Sequence, residues 1–154
     1  MTTSEASARG KSNRMRGRET EQIVARWLRS YYPDACRAVR NSHPDPGDVD
    51  CTSPGLWWSI KYTQVESINT WFEEIAVKAD TRIGLLVQRR SGKSDPGRWW
   101  CWLRLADLRA LLSGTDLAEF VLPELTVGSA PVRLELQHVM ELLVAANYAP
   151  KAAG

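Results

Sequence analysis

The sequence predicts a mixed α/β domain, a central mixed β-sheet flanked by helices, with elements in the order α-β-β-β-α-β-β-α. Three observations point to it. Short apolar runs such as LWWSIKYT, RIGLLVQ and RWWCWL read as strands. Between them lie segments whose apolar residues recur at helical spacing. Turn formers such as Pro33-Asp34 and Pro54-Gly55 separate the two kinds of segment. At 154 residues the chain suits one domain with a real core.

Residues 1–16 are polar and rich in Ser, Thr and Arg, the composition of a basic arm without regular structure. The domain is expected over 17–147, with a flexible tail at 148–154. From Glu19 to Tyr32, Ile23, Val24, Trp27, Leu28, Tyr31 and Tyr32 fill one arc of a helical wheel. Glu21 falls inside that apolar arc, and a carboxylate on the core side of a helix needs a reason. A short strand is expected around 35–40, then a turn-rich loop, NSHPDPG, then strands near 48–52 and 56–63. Residues 68–79 carry Ile68, Trp71, Phe72, Ile75, Ala76 and Ala79 on one face of a helix, with Glu73 and Glu74 facing outward. RIGLLVQ (82–88) reads as a buried central strand. A basic loop leads to a strand at 98–103, and helices follow at 105–112 and 134–146.

Composition excludes several classes. No apolar run approaches the roughly 18 residues of a membrane-spanning helix, so no membrane partner is expected. The N-terminus is basic but has no apolar stretch behind it, unlike a secretory signal. Cys36, Cys51 and Cys101 form no C-x-x-C pair, which fits reduced thiols in a cytoplasmic protein. The net charge of +2 hides two basic clusters. Arg9, Lys11, Arg14, Arg16 and Arg18 form one, and Arg89, Arg90, Lys93, Arg98 and Arg104 the other. Clustered cations suit a polyanion such as DNA, or else a solvated tail and loop.

Strand alternation sorts residues 47–63. Leu56, Trp58, Ile60 and Tyr62 share one face, and Trp57, Ser59, Lys61 and Thr63 the other. Asp48 and Asp50 share a face of the preceding strand. If Pro54-Gly55 closes a hairpin, Asp50 lies opposite Ser59 and Asp48 opposite Lys61, although Pro-Gly favours a turn unlike those of tight hairpins. Two carboxylates and an ammonium then converge, with Glu21 approaching from the first helix. Such hard oxygen donors suit Mg²⁺, and a lysine beside them can stabilise a phosphoryl transition state. The competing reading is an ordinary cross-strand Asp–Lys pair, with Glu21 a favourable acid in a helix's first turn.

RGRETEQIVARWL, AVRNS, GDVD and SIKYTQ together resemble the PD-(D/E)xK nuclease superfamily, and within it archaeal-type Holliday junction resolvases and resolvase-like proteins of actinobacterial phages. The likeness spans roughly residues 16–112. It implies a restriction-endonuclease-like core and Mg²⁺- or Mn²⁺-dependent hydrolysis of DNA, with a four-way junction as substrate and a homodimer as the working form. Gly17 and Glu21 match the family's glycine and helical glutamate, and Asp48 its catalytic aspartate. Ser59-Ile60-Lys61 matches its E-x-K, with Gln64 following and Arg40 ahead. The implied catalytic set is Glu21, Asp48, Asp50 and Lys61, with metal on Glu21, Asp48 and Asp50. DNA contacts are expected from Arg14, Arg16, Arg18, Arg40, Gln64, Arg89, Arg90, Lys93 and Arg98. Ser59 departs from the pattern, because a hydroxyl stands where the second carboxylate belongs. Asp50 replaces it, or a carboxylate of the next segment does, Glu66 ahead of the outward-facing Glu73 and Glu74, or the site binds DNA without cutting it.

The sequence holds seven tryptophans. Trp27, Trp58 and Trp71 read as packing residues, whereas Trp57, on the face of Lys61, could line a cleft. The strand carrying Trp99, Trp100 and Trp102 reads as an edge that a partner could cover.

Overall fold

A computed structural model of the chain describes residues 3–63, 67–113 and 130–149. Gln64 and Glu66 lie outside the described residues. Among the described residues four helices and six strands follow in order: α1 (Thr3–Leu28), β1 (Cys36–Arg37), β2 (Val49–Asp50), β3 (Leu56–Lys61), α2 (Ile68–Ala79), β4 (Ile83–Gln88), β5 (Trp100–Arg104), α3 (Leu105–Leu112), β6 (Pro131–Glu135) and α4 (Leu136–Ala145). A single turn of 3₁₀-helix, Pro96–Arg98, precedes β5.

The main sheet has the order β3-β4-β5-β6. β3 and β4 are parallel, and α2 supplies the crossover that a parallel pair requires. The other two pairings are antiparallel, so the sheet is mixed and flanked by helices as expected. β1 and β2 form a separate two-stranded antiparallel pair.

Burial follows strand alternation. Leu56, Trp58 and Ile60 of β3 join Leu85 and Val87 of β4 in the main core. Val24 and Leu28 of α1 and Leu136, Val139, Met140 and Leu143 of α4 complete it. On the opposite face Trp57 and Leu86 pack under Ile75 and Ala79 of α2. That second cluster depends on Gly84. A Cβ there would collide with the Ile75 side chain and come within 3.2 Å of Ala79 Cβ, so the glycine lets α2 seat directly on β4.

The strand carrying Trp100 and Trp102 is no edge, because β5 pairs with β4 on one side and β6 on the other, and four further expectations need correction. β2 and β3 are not a hairpin. The Pro54-Gly55 turn is present, with the Leu56 N–H donating to the Ser53 carbonyl at 3.2 Å, but the strands it joins do not pair antiparallel. Instead Gly47 and Trp58 form a parallel bridge, in which the Asp48 N–H donates to the Trp58 carbonyl and the Trp58 N–H to the Pro46 carbonyl. Gly47 has φ +89°, and a side chain there would run into the Trp58 backbone, so only glycine permits the approach.

The second correction is an added strand, β6, which runs into α4 without a break at Glu135. The third concerns residues 3–16, which continue α1 rather than lacking regular structure. They contain Ala, Arg, Lys, Glu and Met, all good helix formers, and no proline. They are exposed except at Gly10, so this stretch follows local preference and not burial. Finally, the chain is anchored at the start of its expected tail. The Tyr148 carbonyl accepts from the Tyr32 hydroxyl at 3.0 Å and the Ser53 hydroxyl at 3.3 Å, and Ala149 is buried.

Candidate active site and the adjoining basic cleft

The parallel strands β3 and β4 end together, with Lys61 in register with Gln88 and the Arg89 N–H donating to the Lys61 carbonyl at 2.8 Å. Carboxylates gather at this end from three other segments. Asp48 follows the Gly47 bridge. Its carbonyl accepts from the Ala38 N–H at 3.0 Å, and its Oδ2 accepts from the Ile60 N–H at 2.7 Å. The side chain thus takes the place of a ladder carbonyl, and this holds the half-buried carboxylate against the edge of β3.

Burial pushes the Asp48 pKa up from its ordinary value. The Ile60 N–H opposes that rise, Glu21 adds to it, Lys61 opposes it and Glu74 adds to it. Asp48, Glu21, Lys61 and Glu74 therefore share one electrostatic neighbourhood. Lys61 Nζ lies 3.9 Å from Glu74 Oε2 and 5.7 Å from the centre of the Trp71 ring. Glu21 Oε2 accepts from Arg37 Nε at 2.6 Å. Glu21 and Asp48 line an open cleft of about 430 Å³ with Arg37, Arg40 and Asp45, and Lys61 and Glu74 are not part of its wall.

The structure thus brings Glu21, Asp48 and Lys61 into one neighbourhood, though not through the expected hairpin, and it places Asp50 on another ladder. The Asp50 carboxylate accepts from the Thr52 N–H at 2.8 Å, and the residue lines a different cleft with His43 and Ser53. Across the ladder Asp50 faces Cys36, not Ser59. Alternation failed here because β2 is two residues long and the bridge at Gly47 changes the chain direction before it. Asp50 therefore does not stand opposite Ser59 as the hairpin register would have it. Ser59 is buried on β3 in register with Leu86. Trp57 is also buried and donates its indole N–H to Asp45 Oδ2 at 3.4 Å, so it packs under α2 and lines no cleft.

Glu74 is the residue that a helical wheel leaves out. Its side chain is half exposed, as expected of an outward position, yet its carboxylate reaches Lys61. The available signal is its place three residues after Trp71 and one before Ile75, at the flank of the buried stripe of α2.

The two basic segments, distant in sequence, meet in space. Arg16 on α1, Tyr62 after β3, and Arg89, Arg90 and Lys93 after β4 line a second open cleft of about 540 Å³. Arg89 donates to the buried Thr20 Oγ1 at 3.4 Å and lies 5.4 Å from the centre of the Trp99 ring. Arg90 stacks 3.8 Å from the centre of the Trp100 ring and pairs with Glu135 at 3.0 Å. Arg98 pairs more loosely with Glu135, at 3.8 Å. Arg14 and Arg18 are exposed on α1, and Arg40 joins the carboxylate cleft instead.

The donor chemistry of the carboxylate cleft fits a hard divalent cation in kind, since Glu21, Asp48 and Glu74 offer only oxygen. Among the described residues, however, no three His, Cys, Asp or Glu side chains stand close enough together to hold an ion. Glu21 is engaged by Arg37 and Glu74 by Lys61, so a protein cation already faces each. Among the described residues no helix is long and apolar enough to cross a membrane. No family model, curated protein or solved structure matches this chain. A functional reading therefore rests on the residues themselves.

Proposed function

We propose that this protein is a metal-dependent DNA endonuclease with a restriction-endonuclease-like core, acting on branched DNA such as a four-way junction. The observation that carries the reading is the meeting of Asp48, Lys61, Glu21 and Glu74, from four separate segments, at one end of the β3–β4 pair. Asp48 would anchor Mg²⁺ or Mn²⁺, and Glu21 and Glu74 would join it only on leaving Arg37 and Lys61, because as they stand no three such groups among the described residues are close enough to hold an ion. The ion would supply charge for the phosphoryl oxygens and an acidified water. Glu74 takes the part that Ser59 leaves open, because it is the remaining carboxylate in the neighbourhood of both Asp48 and Lys61.

The chain's own groups have distinct tasks. Lys61, pinned between Trp71 and Glu74, presents an ammonium to a phosphate oxygen and stabilises charge that develops there. The Ile60 N–H fixes the direction of the Asp48 carboxylate. Glu21 would have to leave Arg37 to serve as a metal ligand, and Arg40 at the same cleft would meet the DNA backbone. A two-fold homodimer would present two such centres to the two strands of a symmetric junction.

A second reading, DNA binding without cleavage, is favoured by the engagement of Glu21 with Arg37 and by the absence of a three-ligand group among the described residues. The deciding experiment incubates labelled four-way junction and matched linear duplex with Mg²⁺ or Mn²⁺, using wild type and Lys61→Ala. Cutting selective for the junction and lost in Lys61→Ala supports the enzyme. Junction binding with no cutting by the wild type selects the second reading.

A further inference from the structure

The basic cleft and the carboxylate cleft lie on either side of α1, with Arg16 in one and Glu21 in the other. Five residues of helix advance about 7.5 Å along the axis, so the two are near neighbours. They also share β3, whose last residue, Lys61, belongs to the carboxylate centre while the next, Tyr62, lines the basic cleft.

The cleft is held in shape from behind. The Trp99 indole donates to the Lys93 carbonyl at 2.7 Å, and Asp95 Oδ1 accepts from the Gly97 N–H at 2.9 Å, which pins the loop after β4. Thr20 and Trp99 anchor Arg89, and Trp100 and Glu135 anchor Arg90. Glu135 also faces Arg98, so a single carboxylate answers two arginines. Guanidinium groups fixed in this way meet an anion with little loss of side-chain freedom.

Size and lining identify the anion. An open cleft of about 540 Å³ has room for roughly one or two nucleotides of an unpaired strand. Its lining joins four cations to an aromatic ring, Tyr62, the combination that tracks a backbone and stacks a base. We infer that this cleft binds unpaired nucleic-acid strand, so that the cutting site at Asp48 acts on strands that continue as single-stranded DNA into the cleft. The inference builds on the nuclease reading, but binding to the cleft stands or falls independently of cleavage.

The test is therefore binding in EDTA, by fluorescence anisotropy, with labelled oligodeoxythymidylate, a hairpin duplex of the same sequence length and inorganic phosphate as competitor. Wild type is compared with the Arg16→Ala/Lys93→Ala double variant, Tyr62→Leu and Tyr62→Phe, each checked for native circular dichroism. The expected result is tighter binding of the single strand than of the duplex. The salt slope should fall by about 1.4 in the double variant, at about 0.7 for each phosphate no longer neutralised. Tyr62→Leu should weaken binding by about tenfold or more while Tyr62→Phe preserves it, as stacking requires. A duplex bound as tightly as the single strand, an unchanged salt slope, or displacement by inorganic phosphate at low millimolar concentration each overturns the inference. Because no metal is present, loss of cleavage in a separate assay leaves this result untouched, and a positive result here does not rescue the nuclease reading.

Discussion

Asp48 and Lys93 stand in neighbouring clefts that are built in opposite ways. Asp48 is held by a backbone N–H of β3, the edge strand of the main sheet, and its neighbours Glu21, Lys61 and Glu74 each come from a different element. Like charges are crowded there, and Arg37 and Lys61 relieve the crowding. Lys93 belongs to a loop whose backbone is pinned and whose cations reach outward with an excess of positive charge. If the proposed function holds, position decides everything in the first cleft and one lost group disables the whole. In the second, charge accumulates and each cation adds a similar share. The difference teaches that the two basic segments can be trimmed singly, whereas the carboxylate corner cannot.

Substitutions sharpen that contrast, from the largest effect down. Lys61→Ala should lower the single-turnover cutting rate by about a hundredfold to a thousandfold, the usual loss when a preorganised charge-stabilising donor is removed. Junction affinity measured in EDTA should change by less than about fivefold, because one partly exposed cation already paired with Glu74 contributes little to binding. Gly84→Ala tests whether α2 must seat closely for Glu74 to reach Lys61. Overpacking against Ile75 and Ala79 should cost about 1–3 kcal/mol in urea unfolding. Cutting should drop along with stability in that variant, while binding of oligodeoxythymidylate is retained.

Arg37→Ala breaks the comparison from the other side by freeing Glu21. The Mg²⁺ concentration for half-maximal cutting should fall by up to about fivefold, since an exposed ion pair is worth about 1 kcal/mol at most. The smallest effect is expected from thiol chemistry away from both clefts. Cys36 is exposed, whereas burial raises the Cys51 and Cys101 thiols well above their ordinary values. Titration of native protein with a thiol reagent should therefore label Cys36 first, with the other two labelled only on unfolding.

Much of the molecule is legible in the sequence where local pattern and burial agree. α2 occupies residues 68–79 as its apolar stripe predicts, and β4 is buried along its whole length, as an unbroken apolar run suggests. The two faces of β3 separate by alternation, with Trp58 in one cluster and Trp57 in the other. Glu21 inside an apolar arc does mark a residue of the carboxylate cleft.

What is not legible is hidden for non-local reasons. Extending a hairpin from its turn pairs Asp50 with Ser59, but Gly47 and Trp58 set a parallel approach that no short window contains. Sequence pattern merges β6 into α4 because Glu135 and Leu136 pass from strand to helix with neither glycine nor proline between them. A wheel leaves Glu74 out because it reports which side of a helix is apolar and not what stands beside its flank. The meeting of Arg16 with residues 89–93 requires the packing of α1 against the sheet, which joins segments more than seventy residues apart.

The most direct test of the account sets Glu74→Gln against Asp50→Asn in Mg²⁺-dependent cutting of a four-way junction. Both remove one negative charge at an accessible position and leave shape nearly intact. If Glu74 replaces the carboxylate missing at Ser59, Glu74→Gln loses about a hundredfold or more in rate and Asp50→Asn cuts within about twofold of wild type. Cutting that survives Glu74→Gln but fails in Asp50→Asn would contradict the account.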